Sequence, residues 1–272
     1  SDYFDQATKE ELKEIEDNEK EIEDRFYKNL SFGTGGMRGK IGAGTNRINK
    51  YTIRKATQGL ANYIINYLEN GREKGVVIAY DSRHKSAEFA QETALVLNGN
   101  GIKTYLFDEL RPTPELSFAV RELDAVGGVV ITASHNPPEY NGYKVYGKDG
   151  CQVVPRKARK IIAEIEEIDD FSLIKRIEKD EAEENELFNI IGEEIDNRYL
   201  SALKNILPDK KLAAEKGEQL GIVYSPLHGT GNKPVRRLLT ELGFTNLEVV
   251  EEQAVADPEF STVESPNPEE DS

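Results

Sequence analysis

Apolar positions along this chain alternate between helical spacing and short unbroken runs. Leu12, Ile15, Ile22, Phe26 and Leu30 recur at helical intervals in a highly charged stretch, which predicts one opening amphipathic helix docked by a single face. Ile53, Ala56, Leu60, Tyr63, Ile64 and Tyr67 predict a second helix over 52–68, stopped by Asn70-Gly71. The run Val76-Val77-Ile78-Ala79-Tyr80 then reads as a strand, 86–97 as a helix with Ser86 as N-cap, and 102–107 as a strand. Thr113 and Pro114 supply an N-cap and a first-turn proline for a helix to about residue 122, and 127–132 is a third strand. Three strands alternating with two helices imply right-handed crossovers and a largely parallel sheet covered on both faces. A hairpin of 143–146 and 151–154 around Gly147-Lys148-Asp149-Gly150 and a helix over 155–168 follow.

Residues 169–190 are charge-dense and weakly periodic, as expected of a connection between domains. A second unit restarts beyond them, with a helix over 193–207, a strand over 221–225, a helix over 233–242 and a strand over 247–250. Residues 255–272 hold three prolines, many acids and no apolar period. The expected fold class is therefore α/β. A mixed, largely parallel sheet between helix layers (α/β/α) occupies 1–190, and a second, incomplete α/β domain occupies 191–272. The unfinished second sheet leads to the expectation that the chain is the amino-terminal portion of a longer protein.

Composition narrows the chemistry. The net charge of −15, from 50 acidic against 35 basic residues, argues against sequence-independent binding of nucleic acid or an anionic membrane. An anionic substrate must then meet a local basic patch. The lone Cys151 excludes a disulfide framework, and the start of the chain does not resemble a secretory signal, so a cytoplasmic setting is expected. The longest apolar runs are strand-length, far short of the roughly 20 residues of a membrane span.

The candidate chemistry sits where predicted strands end. Gly127-Gly128-Val129-Val130-Ile131 runs into Thr132-Ala133-Ser134-His135-Asn136-Pro137-Pro138, so Ser134 stands at a strand's carboxyl end, where open α/β sheets bind ligands. A phosphate-carrying or nucleophilic serine and an ordinary strand-to-turn serine both fit that position. His135 beside it suggests a serine hydrolase, but neighbours in an extended segment point to opposite sides, and no Gly-x-Ser-x-Gly elbow is present. A phosphoserine needs cations instead. Ser31-Phe32-Gly33-Thr34-Gly35-Gly36-Met37-Arg38-Gly39-Lys40 reads as a glycine-rich loop in which Arg38 can fork onto a phosphate; its spacing matches neither the P-loop nor the dinucleotide fingerprint. Lys144, in Asn141-Gly142-Tyr143-Lys144, can neutralise phosphate or, with its pKa lowered by burial, act as a base; a snorkelling surface lysine also fits. Asp81-Ser82-Arg83-His84, Arg111-Pro112-Thr113-Pro114 and Ser225-Pro226-Leu227-His228-Gly229-Thr230-Gly231 lie at strand ends too, either as anion-binding loops or as plain strand-to-helix turns.

Together, Thr132-Ala133-Ser134-His135-Asn136-Pro137, Gly33-Thr34-Gly35-Gly36-Met37-Arg38-Gly39 and Asn141-Gly142-Tyr143-Lys144 resemble the α-D-phosphohexomutases. Thr57-Gln58-Gly59, Gly142-Tyr143-Lys144-Val145-Tyr146, Asp257-Pro258-Glu259-Phe260 and Pro266-Asn267-Pro268-Glu269-Glu270 are similar to the phosphoglucomutase/phosphopentomutase branch. The resemblance implies an isomerase that interconverts glucose 1-phosphate and glucose 6-phosphate through a phosphoserine at Ser134 and a bisphosphosugar. Phosphopentomutase, phosphomannomutase or a non-catalytic sugar-phosphate binder are the alternatives. The implied partners are hexose or pentose phosphates and a sugar bisphosphate.

By the same resemblance Arg38 binds phosphate, Lys144 serves acid/base chemistry, His135 supports the site, and Mg²⁺ contacts the phosphate on Ser134. Met37 stands where many members carry leucine, and Ser261 where this branch often carries proline. The family's Asp-x-Asp-x-Asp-Arg metal loop does not occur in these 272 residues, so the chain alone is expected to be nearly inactive.

Overall fold

The structure, a computed structural model, describes residues 3–267 and 269; Pro268 and Glu270 of the last motif lie outside the described residues. Helices α1 (Gln6–Glu14) and α2 (Glu19–Phe26) lead into β1 (Gly36–Lys40), α3 (Lys50–Tyr67), the single turn α4 (Gly71–Lys74), β2 (Val76–Tyr80), α5 (Ser86–Gly99) and β3 (Thr104–Phe107). Next come α6 (Thr113–Glu122), β4 (Gly127–Ile131), β5 (Tyr140–Gly147), α7 (Pro155–Glu166), α8 (Lys179–Glu184) and β6 (Phe188–Ile191). The second unit comprises α9 (Glu193–Ile206), α10 (Lys210–Lys216), β7 (Ile222–Tyr224), α11 (Asn232–Glu241) and β8 (Leu247–Val249).

The first sheet runs β1-β5-β4-β2-β3-β6. Strands β4, β2, β3 and β6 are parallel, while β5 is antiparallel to both β4 and β1. Strand pleating divides the apolar run of each central strand between two cores. Val76, Ile78, Val129 and Ile131 join one core with Ile53, Leu60, Phe89 and Ile161 of α3, α5 and α7. Val77, Ala79 and Val130 join the other with Leu116, Val120 and Ile195 of α6 and α9. That double burial explains why β2 and β4 read as unbroken apolar runs, each full side chain contributing about 1.5–3 kcal/mol. The mixed, largely parallel sheet between helices is the expected architecture, and β7 and β8 form a separate two-stranded parallel pair.

Several local expectations are corrected. The opening helix is two helices, because Asn18 caps a fresh start by accepting from the Glu21 amide. Neither buries a residue fully; ion pairs of Arg25 with Glu11 and of Arg47 with Asp24 hold them. Asn70-Gly71 begins α4 rather than ending α3 outright. Ser86 and Thr113 are first-turn residues, not N-caps: Lys85 and Pro112 occupy the cap positions, and the Ser86 hydroxyl donates to Asp81. The hairpin is shorter than expected: 140–147 form one long strand, and 151–154 pairs back on its end only through the antiparallel Tyr146–Gln152 bridge, with the Gly147 amide donating to the Cys151 carbonyl and the Val153 amide to the Val145 carbonyl. The strand partners of 140–147 are β4 and the second half of the glycine-rich segment, Gly36–Lys40, which is edge strand β1 rather than loop. Glycine gives no β signal, so a strand made by close backbone approach escapes pattern reading. The stretch expected to be a connector contains α8 and β6, and β6 completes the first sheet beside β3.

A buried carboxyl pair joins the two units. Arg111 donates from Nε and Nη2 to both oxygens of Asp196 at 2.8 Å each, tying the β3–α6 turn to α9. Glu115 is buried beside this pair, where its protonated carboxyl can donate a hydrogen bond to the Asp196 carboxylate. Burial, then the Asp196 carboxylate, pushes the Glu115 carboxyl well above its usual 4.5. The folded state therefore holds this proton more tightly than the unfolded chain, so stability is full below 4.5 and is lost as pH rises through the folded pKa. Glu115→Gln is expected to flatten that loss, which is at most about 1.4 kcal/mol per pH unit. Melting temperatures of both proteins from about pH 5 to about pH 9, a range that brackets the folded titration, check it; parallel curves would refute the assignment.

Candidate functional site

Ser134 lies in the loop between β4 and β5, just past the carboxyl end of a fully buried strand. Its φ is +59°, a left-handed conformation that is uncommon for a serine. The Ser134 amide donates to the Thr132 hydroxyl at 2.9 Å and the Asn136 amide to the Ala133 carbonyl at 3.2 Å, which closes a tight turn and leaves the Ser134 side chain exposed. Arg83, from the β2–α5 turn, is wholly buried behind this loop. Its Nη1 donates to the carbonyls of Pro137 (2.8 Å) and Tyr140 (3.1 Å), and its Nη2 to those of Ser134 (2.9 Å) and Asn136 (2.5 Å). One guanidinium thus collects four carbonyls of the serine loop and its entry into β5. Asp81 flanks Arg83 Nε at 3.4 Å and is fixed by the Ser86 hydroxyl (2.7 Å) and the Arg83 amide (3.0 Å).

The cations named from the sequence converge here. Arg38 on β1 is opposite Gly142 of β5, and Lys144 on β5 is opposite Val130 of β4. Met37 and Tyr143 belong to the core of α3, α5 and α7, so alternation sends Arg38 and Lys144 to the other face of the sheet. Gly142 is required between them, since a Cβ there would stand 2.5 Å from the Thr132 carbonyl oxygen and 3.0 Å from that of Met37. Arg38 Nη1 donates to the Asn136 side-chain oxygen at 2.7 Å, joining the edge strand to the serine loop. Lys144 is half-buried and has neither a hydrogen bond nor an ion pair with another described residue. Burial, and after it the charge of Arg38, pushes its ammonium below the usual lysine range.

His135 is exposed, with Nδ1 3.4 Å from Ser134 Oγ, at the outer limit of a hydrogen bond. The expectation that the two side chains diverge assumes an extended backbone, and the left-handed turn at Ser134 removes that premise.

Two models of one family match the chain. The phosphoglucomutase/phosphomannomutase α/β/α domain I matches residues 29–171, and domain II matches residues 197–272. The chain belongs to this family. A phosphoglucomutase of Staphylococcus haemolyticus (strain JCSC1435) is 40% identical over 248 residues, covering 91% of this chain and 44% of that protein. A phosphoglucomutase of Staphylococcus aureus (strain USA300) is 40% identical over 261 residues, 95% of this chain and 45% of its own length. The chain therefore spans less than half the length of these curated relatives. Among solved structures, a putative phosphomannomutase from Thermus thermophilus superposes with a TM-score of 0.70 at 27% identity, over 87% of this chain and 48% of that one.

Mg²⁺ is the cofactor that the phosphohexomutase resemblance implies. Among the described residues no group of three or more His, Cys, Asp or Glu side chains could hold a metal ion. The acid beside the serine loop, Asp81, is engaged with Arg83 and Ser86, and the groups named around Ser134 are otherwise basic or neutral. The residues present do not fit a resident metal cage. Among the described residues, no helix is long and apolar enough to cross a membrane.

In the other strand-end motifs the side chains are engaged within the protein. Arg111 serves the Asp196 pair. His228 is buried, with Nδ1 on the Val255 carbonyl (2.8 Å) and Nε2 on the Thr262 hydroxyl (2.7 Å). Sequence reasoning places the loop anchor Arg83 only within a turn of open meaning. Its signal is an Asp-x-Arg at the carboxyl end of β2, the strand beside β4.

Proposed function

We propose that Ser134 is a phosphoryl carrier and that the protein acts as a phosphoglucomutase. In this reading phosphoserine donates to a sugar monophosphate, the bisphosphate turns over, and its other phosphoryl group returns to Ser134, interconverting glucose 1-phosphate and glucose 6-phosphate. The observation that carries the reading is a serine exposed on a loop wound round a buried arginine, with Arg38 tied to the same loop and Lys144 on the same sheet face. In the transfer step the Oγ–P bond breaks as the sugar oxygen–P bond forms. The sugar hydroxyl gives up its proton, and Ser134 Oγ recovers one on release. Lys144 suits the first role, half-buried on the site face of the sheet, where burial and then Arg38 push its ammonium below the usual lysine range; His135 suits the second by proximity to Oγ. Arg38 would clamp phosphate oxygens through its planar fork.

The 40%-identical relatives named phosphoglucomutase favour glucose as the sugar, while the name of the Thermus thermophilus structure keeps mannose in the comparison. Mg²⁺ on the Ser134 phosphate is part of the proposal. The described residues offer no carboxylate set to hold that ion, so these 272 residues alone are expected to turn over slowly. The test is incubation with glucose 1,6-bisphosphate followed by phosphopeptide mapping: label on Ser134 supports the reading, and label elsewhere defeats it. Turnover of glucose, mannose and ribose 1-phosphates then ranks the sugars, and tight binding without turnover would point to a silent binding module.

Lys144→Met separates chemistry from stability. A lysine whose folded pKa is depressed costs stability while charged and regains it as pH rises through that pKa toward 10.5. The variant should lose that upward slope in an alkaline denaturation series and be no less stable than the parent at neutral pH. Its labelling rate should fall by roughly 10²-fold, the lower end for a positioned proton carrier. An unchanged labelling rate would remove Lys144 from the transfer step.

A further inference from the structure

We propose that the Asp257–Phe260 turn of the second unit positions the Ser134 loop by sealing Arg83, an inference that rests on reading Ser134 as the phosphoryl carrier. Four backbone carbonyls in and beside the serine loop converge on one guanidinium, and that group needs a dry setting to hold them against competing water. Residues of the first unit supply the carbonyls and Asp81. A face of the guanidinium is covered from the second unit, by the Phe260 ring with its centroid 5.0 Å from Arg83 Cζ.

Phe260 is built into place. It is buried between exposed Glu259 and Ser261 and sits at φ +52°, with its amide donating to the Asp257 carbonyl at 3.2 Å. The Asp257 carboxylate in turn accepts from the amides of Glu259 (3.0 Å) and Ser261 (2.9 Å) and from the Ser261 hydroxyl (2.5 Å). The His228 ring meets Phe260 edge-on, at 6.4 Å between centroids and 73° between planes. His228 also holds both flanks of the turn, through Val255 and Thr262. A second strap pairs His84, next to Arg83, with Glu259 at 2.5 Å. A continuous path thus runs from the 225–231 loop through His228, Phe260 and Arg83 to the backbone of Ser134. Phe260 is a positioning residue, since it touches Arg83 and not the serine. Its effect on transfer arises because in-line attack tolerates little misplacement of the serine.

The experiment compares the parent with Phe260→Ala and with Phe260→Leu, which fills much of the space but offers no ring face. Amide hydrogen exchange is followed in peptides covering 132–141 and in β7, β8 and α11. The rate of Ser134 labelling by glucose 1,6-bisphosphate is measured as a function of its concentration.

Exchange in 132–141 should rise roughly tenfold in Phe260→Ala and less in Phe260→Leu, with β7, β8 and α11 protected as in the parent. The saturating labelling rate should fall by about tenfold while the half-saturating concentration stays within about twofold, since the phosphate-binding cations are untouched. Parent-like exchange at 132–141 in both folded variants overturns the proposal, as does faster exchange with an unchanged saturating rate. If Phe260→Ala loses protection throughout the second unit, Phe260→Leu decides by the same readings. A parent that takes no label on Ser134 removes the phosphoryl reading, and the exchange data then decide the mechanical coupling alone.

Discussion

Ser134→Ala is expected to leave the protein folded and to stop its labelling by glucose 1,6-bisphosphate, with a fall of at least roughly 10³-fold in rate. Alanine keeps the Cβ and so meets the same left-handed backbone as serine, and the weak 3.4 Å contact to His135 is the side-chain hydrogen bond lost. Stability should therefore move by less than about 0.5 kcal/mol. The Arg83 and Arg38 contacts use the Ser134 carbonyl and the Asn136 side chain, which survive the change. Intact-mass spectrometry reads the result directly. A variant that still gains one phosphoryl group at the parent's rate would show that the carrier lies elsewhere, whatever the loop's geometry.

Arg83→Met should be the most damaging substitution that leaves every proposed reacting group in place. Methionine fills much of the volume but abandons four carbonyls and leaves Asp81 buried without its cation. Removing one partner of a buried charged pair costs about 3–5 kcal/mol. Water can enter to satisfy the carbonyls, so the lower half of that range is expected, together with loss of exchange protection in 132–141. Chemical denaturation and amide exchange check the two parts. A variant within about 1 kcal/mol of the parent would mean that the turn at Ser134 is held mainly by its own local hydrogen bonds. Arg83→Lys should rescue only partly, because a single ammonium cannot present the planar fork that reaches four acceptors.

Much of the site is legible without the fold. Val129, Val130 and Ile131 are buried on both faces, and an apolar run ending in Asn-Pro-Pro allows little else than a central strand with a polar loop at its carboxyl end. Arg38 and Lys144 join Ser134 because their motifs resemble those of one family, and sheet register brings all three segments to adjoining strands. The glycine-rich run reads as a loop because strand β1 is made by Gly142 and the Met37 carbonyl approaching closely, which leaves no trace in hydrophobic spacing. The opening helix reads as one because its period continues across the break, while the break itself is set locally by the side chain of Asn18.

By itself the sequence determined the alternation of strands and helices in the first unit, the strand-end address of Ser134 and the basic character of its surroundings. These depend on properties of neighbouring residues: pleat period, helical period, turn chemistry and charge. Only the tertiary structure decided that Arg83 winds the serine loop, that Phe260 seals Arg83 from a point 177 positions further along the chain, and that Glu115 is buried beside the Asp196 carboxylate. Each of these is a contact between distant segments, and its strength comes from shared burial. A guanidinium, a phenyl ring and a carboxyl acquire those roles when folding removes water from around them together.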